Sequence, residues 1–234
     1  MGLNEPFISV VIPAFNEELS IGSVLQGTRE VLEKTGFSYE IIVVNDGSAD
    51  RTAEVAREHD VVLVENDGNL GKGAALRAGF MKVRGEVIVM MDADGSHQPE
   101  DISRLICPVL RNGDAEVATG SRFVSEMGRN STKKLHLVGN KLINTLILFL
   151  TGRYVSDSQS GFRAFRRDVL RRFALSSSGY EVESEMTIRM LKSGLRIREI
   201  PISCKQRKCG TTRINSFGDG FRILKAILKA TFCG

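Results

Sequence analysis

Five short, largely apolar runs recur along the first half of the chain, and the segments between them have helical character. The runs occupy residues 7–12, 40–45, 61–64, 86–91 and 115–119. Such runs are typical of strands buried on both faces of a sheet. Helices are predicted over residues 20–34, 48–56 and 69–83, and Pro99 opens a further helix. Strands and helices that alternate at this spacing predict an α/β fold with a mostly parallel central sheet.

The domain organisation follows from length and composition. The 234 residues are enough for one domain with a sizeable core. Hydrophobic residues make up 42% and charged residues 26% of the chain, which excludes disordered and fibrous classes. Because no repeat, low-complexity tract or Pro-rich linker divides the sequence, we predict a single domain. The strand–helix pattern loosens after about residue 125.

Positive charge is concentrated towards the end of the chain. Residues 189–234 contain eleven Lys or Arg against Glu199 and Asp219, a formal charge of +9. The preceding residues contain 21 Lys or Arg and 26 Asp or Glu, a formal charge of −5. This asymmetry indicates a partner that carries phosphate, either nucleic acid or an anionic membrane surface or lipid phosphate. The basic segment lacks the interleaved aromatic residues that stack on bases, so no nucleic-acid partner is expected.

Two amphipathic segments, residues 131–150 and 216–232, combine an apolar face with lysines. They fit either a membrane surface or packing on the sheet. No apolar run reaches the ~18–20 residues that span a bilayer, and residues 1–6 do not resemble a secretory signal. The four cysteines show no metal-binding spacing, as expected for free thiols in a reducing compartment. We therefore expect a cytoplasmic protein, peripheral to the membrane.

Carboxylates follow three of the predicted strands. Glu17 comes shortly after the first strand, Asp46 after the second, and Asp92 and Asp94 after the fourth. In open parallel sheets, ligands bind beyond the carboxyl ends of the strands. Carboxylates gathered at one edge repel each other, so a cation or a set of hydrogen-bond donors is expected among them.

The pair Asp92 and Asp94 is the sharpest of these features. Residues i and i+2 of an extended chain project to the same side, so both carboxylates can face one divalent ion. Carboxylate oxygens suit Mg²⁺ or Mn²⁺, which also bind diphosphate oxygens. An alternative is that Asp-x-Asp at a strand end caps a turn or the following helix. Placement after a buried strand, with Asp46 beside it, favours the metal site.

A Gly-Lys-Gly sequence, residues 71–73, precedes one of the predicted helices. Its backbone N–H groups and the ammonium of Lys72 can bind a phosphate. The sequence lacks the spacing of a P-loop, and no GxGxxG motif follows the first strand. NTPases of the P-loop class and dinucleotide-dependent dehydrogenases are therefore disfavoured.

Six short motifs, in a fixed order, extend this picture over most of the chain. They are Ile12-Pro-Ala-Phe-Asn-Glu17, Val44-Asn-Asp-Gly-Ser48, Asp92-Ala-Asp94, Gly120-Ser-Arg122, Asp157-Ser-Gln-Ser-Gly-Phe-Arg163 and Arg207-Lys-Cys-Gly-Thr-Thr-Arg213. Together they resemble a family 2 glycosyltransferase of the GT-A fold, and in particular the dolichyl-phosphate (polyprenyl-phosphate) mannose and glucose synthases. Each motif alone is weak, whereas six in order are specific.

The resemblance implies a Rossmann-like three-layer sandwich with a mostly parallel sheet and peripheral amphipathic helices. It also implies a nucleotide-binding half, about residues 1–125, and an acceptor-binding half, about residues 126–234, that includes the basic tail.

The resemblance further implies roles for individual residues. The expected contacts of the nucleotide sugar are Pro13, Phe15, Glu17, Val44, Asp46, Lys72, Asp92, Ala93, Asp94, Arg122, Arg207 and Arg213. The expected metal ligands are Asp92 and Asp94, the expected catalytic residues are Asp94, Arg122 and Asp157, and the expected contacts of the acceptor phosphate are Lys133, Lys134 and Arg163. Asp157 is expected either to orient the acceptor or to act as a base, and a turn or cap role is the alternative.

Several positions depart from the family pattern. Ser96 stands where some members have Gln, which leaves a third metal ligand open, and Arg213 stands where Lys is frequent. Thr132 and His136 stand where mannose synthases usually carry Arg and Ser. The acceptor contact is therefore expected from the neighbouring lysines.

The implied reaction is transfer of a hexose from GDP-mannose, UDP-glucose or UDP-N-acetylglucosamine to dolichyl or polyprenyl phosphate, with a Mg²⁺ or Mn²⁺ cofactor and inversion of the anomeric centre. A separate membrane subunit is a further expected partner. The alternatives are a transferase with a polysaccharide or protein acceptor and a non-catalytic protein that binds nucleotide sugars. Processive synthases carry a QxxRW segment, which a chain without Trp cannot have. A sugar nucleotidyltransferase is disfavoured because no Gly-rich basic signature follows Ile12.

Overall fold

The structure is a computed structural model that describes residues 5–110, 114–124, 134–203 and 216–232, without the side chains of residues 134–138 and 216–219. The predicted contacts Lys133, Arg207 and Arg213 lie outside the described residues, and Lys134 is described by its backbone alone.

Seven strands form one sheet in the order β3-β2-β1-β4-β6-β5-β7. All neighbours pair in parallel except β6, which runs antiparallel to both β4 and β5. The strands are β1 (Ile8–Ala14), β2 (Tyr39–Asn45), β3 (Val62–Glu65), β4 (Val87–Met90), β5 (Val117–Ser121), β6 (Arg163–Arg166) and β7 (Ile197–Pro201).

Helices connect these strands on both faces of the sheet. They are α1 (Ile21–Thr35), α2 (Thr52–Arg57), α3 (Lys72–Phe80), α4 (Ile102–Ile106), α5 (Lys134–Thr151), α6 (Val182–Lys192) and α7 (Ser216–Phe232). Short 3₁₀ segments occupy Pro99–Asp101, Cys107–Val109 and Arg167–Arg171.

The alternation of side chains along each strand sorts the core into two layers. Val10 of β1 packs with α1, α2 and α4, whereas the next residue, Val11, packs with α3 and α6 on the opposite face. Successive strand residues point to opposite faces of a sheet, and here both faces are covered by helices. The predicted three-layer α/β sandwich with a mostly parallel sheet is therefore confirmed.

The two amphipathic helices lie beyond the β7 end of the sheet. α5 and α7 pack against α6 and against each other around Ile147, Ile188 and Ile227, which are all buried. Within the part of the chain that the structure describes, every helix is too short or too polar to cross a bilayer.

The five predicted strands agree with β1 to β5, but some elements differ from the predictions. β6, β7 and α6 were not predicted, because their charged residues interrupt the apolar pattern. Ser48 was predicted to start a helix, yet α2 begins at Thr52. The Ser48 hydroxyl instead accepts the backbone N–H of Asn16 at 2.9 Å, which ties the loop after β1 to the loop after β2.

Candidate active site

The loops after β1 and β2 form one wall of the candidate site. Ala49 N–H donates to the Asn16 side chain at 2.8 Å, and Glu17 N–H donates to Thr52 Oγ1 at 2.7 Å. Pro13, Phe15 and Glu17, three of the predicted nucleotide contacts, are half-buried along this wall. They are placed where the prediction requires, at the carboxyl end of a parallel strand.

Two other predicted contacts have side chains that point away from the edge. Val44 is completely buried and packs with Val11 in the layer under α3. Ala93 is 2% exposed and belongs to the core under α1 and α4. Because both side chains are core residues, a contact of Val44 or Ala93 with the nucleotide would come from the backbone, and this contact stays a prediction.

Asp46 holds the loop that precedes α3. Its carboxylate accepts hydrogen bonds from Asn66 Nδ2 at 2.7 Å, Leu70 N–H at 3.1 Å and Gly71 N–H at 2.8 Å. Gly71 has a φ of +91°, which favours glycine, and its Cα faces the carbonyl of Ser178 too closely for a Cβ. Asp46 therefore fixes the position of the Gly-Lys-Gly segment, while its contact with a nucleotide stays a prediction.

Asp92 and Asp94 follow β4 and are both half-buried at the same edge of the sheet. Asp94 accepts the backbone N–H of Ser96 at 2.9 Å through Oδ1. The Asp92 backbone N–H donates to Nδ1 of His97 at 3.2 Å, and the His97 ring stacks on Phe162 with ring centroids 4.8 Å apart. Burial lowers the pKa of His97, although the two carboxylates oppose this shift.

Lys72 joins two carboxylates from distant parts of the chain. Its ammonium pairs with Asp92 and lies 2.5 Å from Glu183 Oε1 on α6, with only 12% of the Lys72 side chain exposed. We call Lys72, Asp92 and Glu183 the lysine cluster. A Cβ at Gly161 would lie 2.9 Å from Lys72 Nζ and 3.0 Å from Asp92 Oδ1, so this close approach requires glycine.

The lysine cluster shifts the pKa of each of its members. Burial raises the pKa of Asp92, but the Lys72 ammonium outweighs burial and lowers this pKa to about 2. Burial lowers the pKa of Lys72, and the two carboxylates overcome it, so that the net shift is upwards. The pKa of Glu183 is raised, because burial outweighs the attraction of Lys72. One carboxylate oxygen, Oε2 of Glu183, is buried without a hydrogen-bond partner.

Asp157 forms a second cluster with Arg122, the residue directly after β5. Arg122 Nε donates to Asp157 Oδ2 at 2.7 Å, and its terminal nitrogen donates to Oδ1 at 2.8 Å. The Arg122 backbone N–H and Asn140 Nδ2 also donate hydrogen bonds to the Asp157 carboxylate, each at 3.2 Å. We call Arg122, Asp157 and Asn140 the arginine cluster. Bidentate pairs of this kind fix the orientation of the guanidinium.

Arg163 was predicted to contact the acceptor phosphate, and its placement corrects that prediction. The residue is 1% exposed, and its guanidinium donates to the carbonyls of Ser158, Ser160 and Glu183 and to Thr187 Oγ1. Burial lowers the pKa of Arg163 to about 10. Arg163 therefore joins β6 to α6 inside the protein and is not available to a ligand.

Glu183, Asn140 and Glu199 were missed by the sequence predictions. Glu199 on β7 accepts hydrogen bonds from the backbone N–H groups of Ser156 and Asp157. It therefore holds the backbone that carries the Asp157 carboxylate of the arginine cluster. The signal that could have revealed Glu183 is the helical spacing of Val182, Met186 and Met190, whose buried face includes it.

The described residues fit a divalent cation only as part of a ternary site. No group of three His, Cys, Asp or Glu side chains in the described ranges is arranged to hold a metal by itself. Mg²⁺ usually binds one or two carboxylates, with substrate phosphates and water completing the octahedron. Asp92 and Asp94 are hard oxygen donors of this kind. They therefore suit Mg²⁺ or Mn²⁺ held jointly with a diphosphate.

Comparison with known proteins identifies the family of the chain. Residues 9–173 match the family described as glycosyl transferase family 2, and the chain belongs to this family. It is a glycosyltransferase by this membership. It is 38% identical to the low-salt glycan biosynthesis hexosyltransferase Agl6 of Haloferax volcanii, over 95% of this chain and 53% of that protein. The chain thus spans about half the length of that relative.

A second relative supports the same family, and a solved structure supports the fold. The chain is 33% identical to the polyprenol monophosphomannose synthase of Mycolicibacterium smegmatis, over 96% of this chain and 86% of that protein. It is similar in fold to glucosyl-3-phosphoglycerate synthase from Mycobacterium tuberculosis in complex with Mn²⁺, UDP and phosphoglyceric acid. The TM-score is 0.78 at 23% identity, over 97% of this chain and 79% of that one, which confirms the GT-A fold.

Proposed function

We propose that this chain transfers a hexose from a nucleotide sugar to the phosphate of a polyprenol, with inversion of the anomeric centre. The observation that carries the proposal is the meeting of Asp92, Asp94 and Lys72 at the carboxyl edge of the sheet. The similarity to the mycobacterial polyprenol monophosphomannose synthase supports a polyprenyl phosphate acceptor. GDP-mannose, UDP-glucose and UDP-N-acetylglucosamine remain the donors to be compared.

On the donor side, Asp92 and Asp94 would hold Mg²⁺ or Mn²⁺. When bound, the cation would neutralise the charge that develops on the departing nucleoside diphosphate. The solved neighbour that contains Mn²⁺ and UDP supports this proposal. Arg207 and Arg213 are proposed as additional diphosphate contacts.

Lys72 has a supporting role in this arrangement. Its ammonium is paired with Asp92 and Glu183, so it fixes the direction of the Asp92 carboxylate. Positioning of this kind lowers the barrier, because the site does not reorganise during the reaction.

On the acceptor side, the lipid phosphate is already ionised near neutral pH and needs no strong general base. Asp157 is 1% exposed and accepts four hydrogen bonds from Arg122 and Asn140. A carboxylate that is saturated in this way orients Arg122 rather than removing a proton. We propose that Arg122 then faces phosphate, and that Lys133 and Lys134 contribute further positive charge.

The acceptor lipid belongs to a membrane, so the proposed working place is the cytoplasmic membrane surface, with or without a separate membrane subunit. Polysaccharide or protein acceptors and a non-catalytic binding role are the competing functions. The relatives are named as a hexosyltransferase and a synthase, which favours catalysis. The Asp92–Asp94 pair favours catalysis as well.

The proposal is tested by mixing the purified protein with polyprenyl phosphate in detergent and a panel of radiolabelled nucleotide sugars, with and without Mn²⁺. We expect label from one donor to enter the organic phase only when Mn²⁺ or Mg²⁺ is present. Asp94→Asn should lower this transfer about 100-fold or more, because a site that stabilises the leaving charge loses one of its ligands.

A matched control is Asp60→Asn, an exposed aspartate before β3, at the opposite end of the strands. It should leave transfer unchanged, and both variants should keep the wild-type circular dichroism spectrum. Binding of a nucleotide sugar without transfer to any lipid would reject the enzyme assignment. Transfer that persists at the wild-type rate in Asp94→Asn would reject the metal site.

A further inference from the structure

Glu199 lies in the middle of β7 and contacts the loop between α5 and β6, which carries Asp157. Its carboxylate accepts the Ser156 backbone N–H, which lies 2.9 Å from one carboxylate oxygen and 3.0 Å from the other. It also accepts the Ser156 hydroxyl at 2.7 Å and the Asp157 backbone N–H at 3.2 Å. One side chain therefore satisfies two successive peptide groups of this loop.

The Ser156 hydroxyl extends this contact to the end of β5. A carboxylate has no proton to donate, so the proton of the Ser156 hydroxyl points to Glu199. The Ser121 hydroxyl, 2.6 Å from Ser156 Oγ, is then the donor between the two serines. Ser121 Oγ in turn accepts the backbone N–H of Phe123 at 3.1 Å. We call Ser121 and Ser156 the serine bridge, and its hydrogen bonds all run in one direction, towards Glu199.

The serine bridge joins the two segments that carry the arginine cluster. Arg122 directly follows Ser121, and Asp157 directly follows Ser156, although the two serines are 35 residues apart in the sequence. Glu199 holds one segment directly and the other through the bridge. A displacement of its carboxylate would therefore move both members of the Arg122–Asp157 pair.

The sheet fixes Glu199 relative to Arg122. β5 and β7 pair in parallel, with Glu199 opposite Thr119, shortly before Arg122. Side chains on strands are held more precisely than side chains on loops. The loop that carries Asp157 is thus aligned with the end of β5 by a residue that belongs to the sheet itself.

We propose that Glu199 is a positioning residue of the acceptor side, which holds the guanidinium of Arg122 in the orientation that receives the acceptor phosphate. The proposal deepens the proposed function and rests on it, because that function assigns the phosphate contact to Arg122. Glu199 acts through the serine bridge and through Asp157. Since the guanidinium is oriented before the acceptor arrives, less conformational freedom is lost on binding.

The first test is the transfer assay with varied concentrations of polyprenyl phosphate. Glu199→Gln keeps the length of the side chain but places an amide nitrogen opposite N–H and O–H donors of the loop. We expect KM for polyprenyl phosphate to rise about tenfold, as for the loss of one hydrogen bond to a charged group. The kcat and the KM for the nucleotide sugar should change less than about twofold, because other residues hold the donor.

The chain offers a matched control at the opposite end of the same strand pair. Glu116 directly precedes β5, is 9% exposed and accepts the backbone N–H of Arg196 at 3.0 Å. Glu116→Gln therefore also perturbs a carboxylate that holds the β5–β7 pair, but away from Arg122. It should leave KM for polyprenyl phosphate unchanged, and urea denaturation should show whether both variants lose similar stability.

A double-mutant cycle separates positioning from a general structural effect. Arg122→Gln removes the guanidinium that Glu199 is proposed to hold. In that background, Glu199→Gln should raise KM for polyprenyl phosphate by less than about twofold, because the interaction through Arg122 is already lost. The same rise of about tenfold in both backgrounds would overturn the proposal.

Modification of Arg122 by phenylglyoxal, followed by peptide mass spectrometry, tests the proposal without substrates. In the wild type, Asp157 holds the guanidinium, and 29% of the Arg122 side chain is exposed. Glu199→Gln should increase the modification rate several-fold, whereas Glu116→Gln should not. An unchanged rate in Glu199→Gln, or an unchanged KM, would overturn the proposal. If the wild type transfers no hexose to polyprenyl phosphate, the proposed function fails, while the modification rate still decides whether Glu199 orients Arg122.

Discussion

The lysine cluster and the arginine cluster solve the same problem, a buried carboxylate, in different ways. In the arginine cluster one guanidinium faces one carboxylate, and both oxygens of Asp157 accept two hydrogen bonds each. In the lysine cluster one ammonium faces the carboxylates of Asp92 and Glu183, and one oxygen of Glu183 has no partner. The first cluster pairs one cation with one carboxylate, and the second has two carboxylates for one cation.

We interpret the arginine cluster as a framework, which means structural support, and the lysine cluster as receptive, which means part of a ligand-binding site. A buried polar group without a partner costs free energy. A ligand that supplies the missing partner removes this cost. The lysine cluster lies beside Asp94 at the strand ends, where we propose that a divalent cation binds. In the arginine cluster the buried atom without a partner is the amide oxygen Asn140 Oδ1, whereas both oxygens of Asp157 are paired, so the cluster can hold Arg122 in one orientation before the acceptor arrives.

The largest effect is expected when the lysine cluster loses its cation. Lys72→Met leaves the half-buried Asp92 and the buried Glu183 as neighbouring carboxylates without a counter-ion. Removing one partner of a buried ion pair typically costs about 3–5 kcal/mol of unfolding free energy, and we expect a loss of this size from urea denaturation.

The control for this change is Lys82→Met, which removes an exposed lysine and should cause no comparable loss. Adding Glu183→Met to Lys72→Met should recover part of the stability, because it removes one of the stranded charges. An unfolding midpoint for Lys72→Met equal to that of the wild type would show that the cluster does not contribute to stability.

A smaller effect is expected when the arginine cluster loses its charge. Asp157→Asn places an amide group opposite the Arg122 donors, so we expect a loss of about 2–3 kcal/mol in the same denaturation measurement. Transfer should fall as well, because Arg122 is no longer fixed. The exposed pair Arg198–Asp114 supplies the control: Asp114→Asn should change neither quantity measurably. Equal effects of both substitutions would contradict the framework role of Asp157.

The sequence predicted the elements that have a distinct local pattern of apolar residues. β1, β2 and β4 are apolar on both sides because helices cover both faces of the sheet, so their runs stand out. The order of strands and helices then placed Asp46, Asp92 and Asp94 at one edge. By contrast, α6 buries Glu183 and Glu185, which in isolation look like residues of a solvated face.

The contacts that define the two clusters depend on residues far apart in the sequence. Lys72 and Glu183 are brought together only by the packing of α3 and α6 on the same face of the sheet. Arg163 was assigned to the acceptor phosphate through the resemblance of its motif, and Arg is seldom completely buried. Its burial depends on carbonyl groups of Ser158, Ser160 and Glu183, an arrangement that no local pattern reveals.

The smallest effect comes from comparing two buried carboxylates on α6, two positions apart. Glu185 accepts hydrogen bonds from the backbone of Ser176 and Ser177 and from Arg189. Burial raises the pKa of Glu185, but these bonds outweigh burial and lower it. Its ionised form therefore stabilises the fold above the unfolded pKa of about 4.3, and this contribution is lost as pH falls through the lower folded pKa.

Glu185→Gln should consequently cost about 1–2 kcal/mol near neutral pH, since the Gln amide opposes donors that the carboxylate accepts. The difference from the wild type should shrink as urea denaturation is repeated below about pH 4.3. Glu183→Gln should cost less than about 1 kcal/mol near neutral pH, because Gln still accepts from Lys72 and its burial carries no charge penalty. A larger loss for Glu183→Gln than for Glu185→Gln would mean that Glu183 is as firmly satisfied as Glu185, and the contrast between a receptive cluster and a framework would fail.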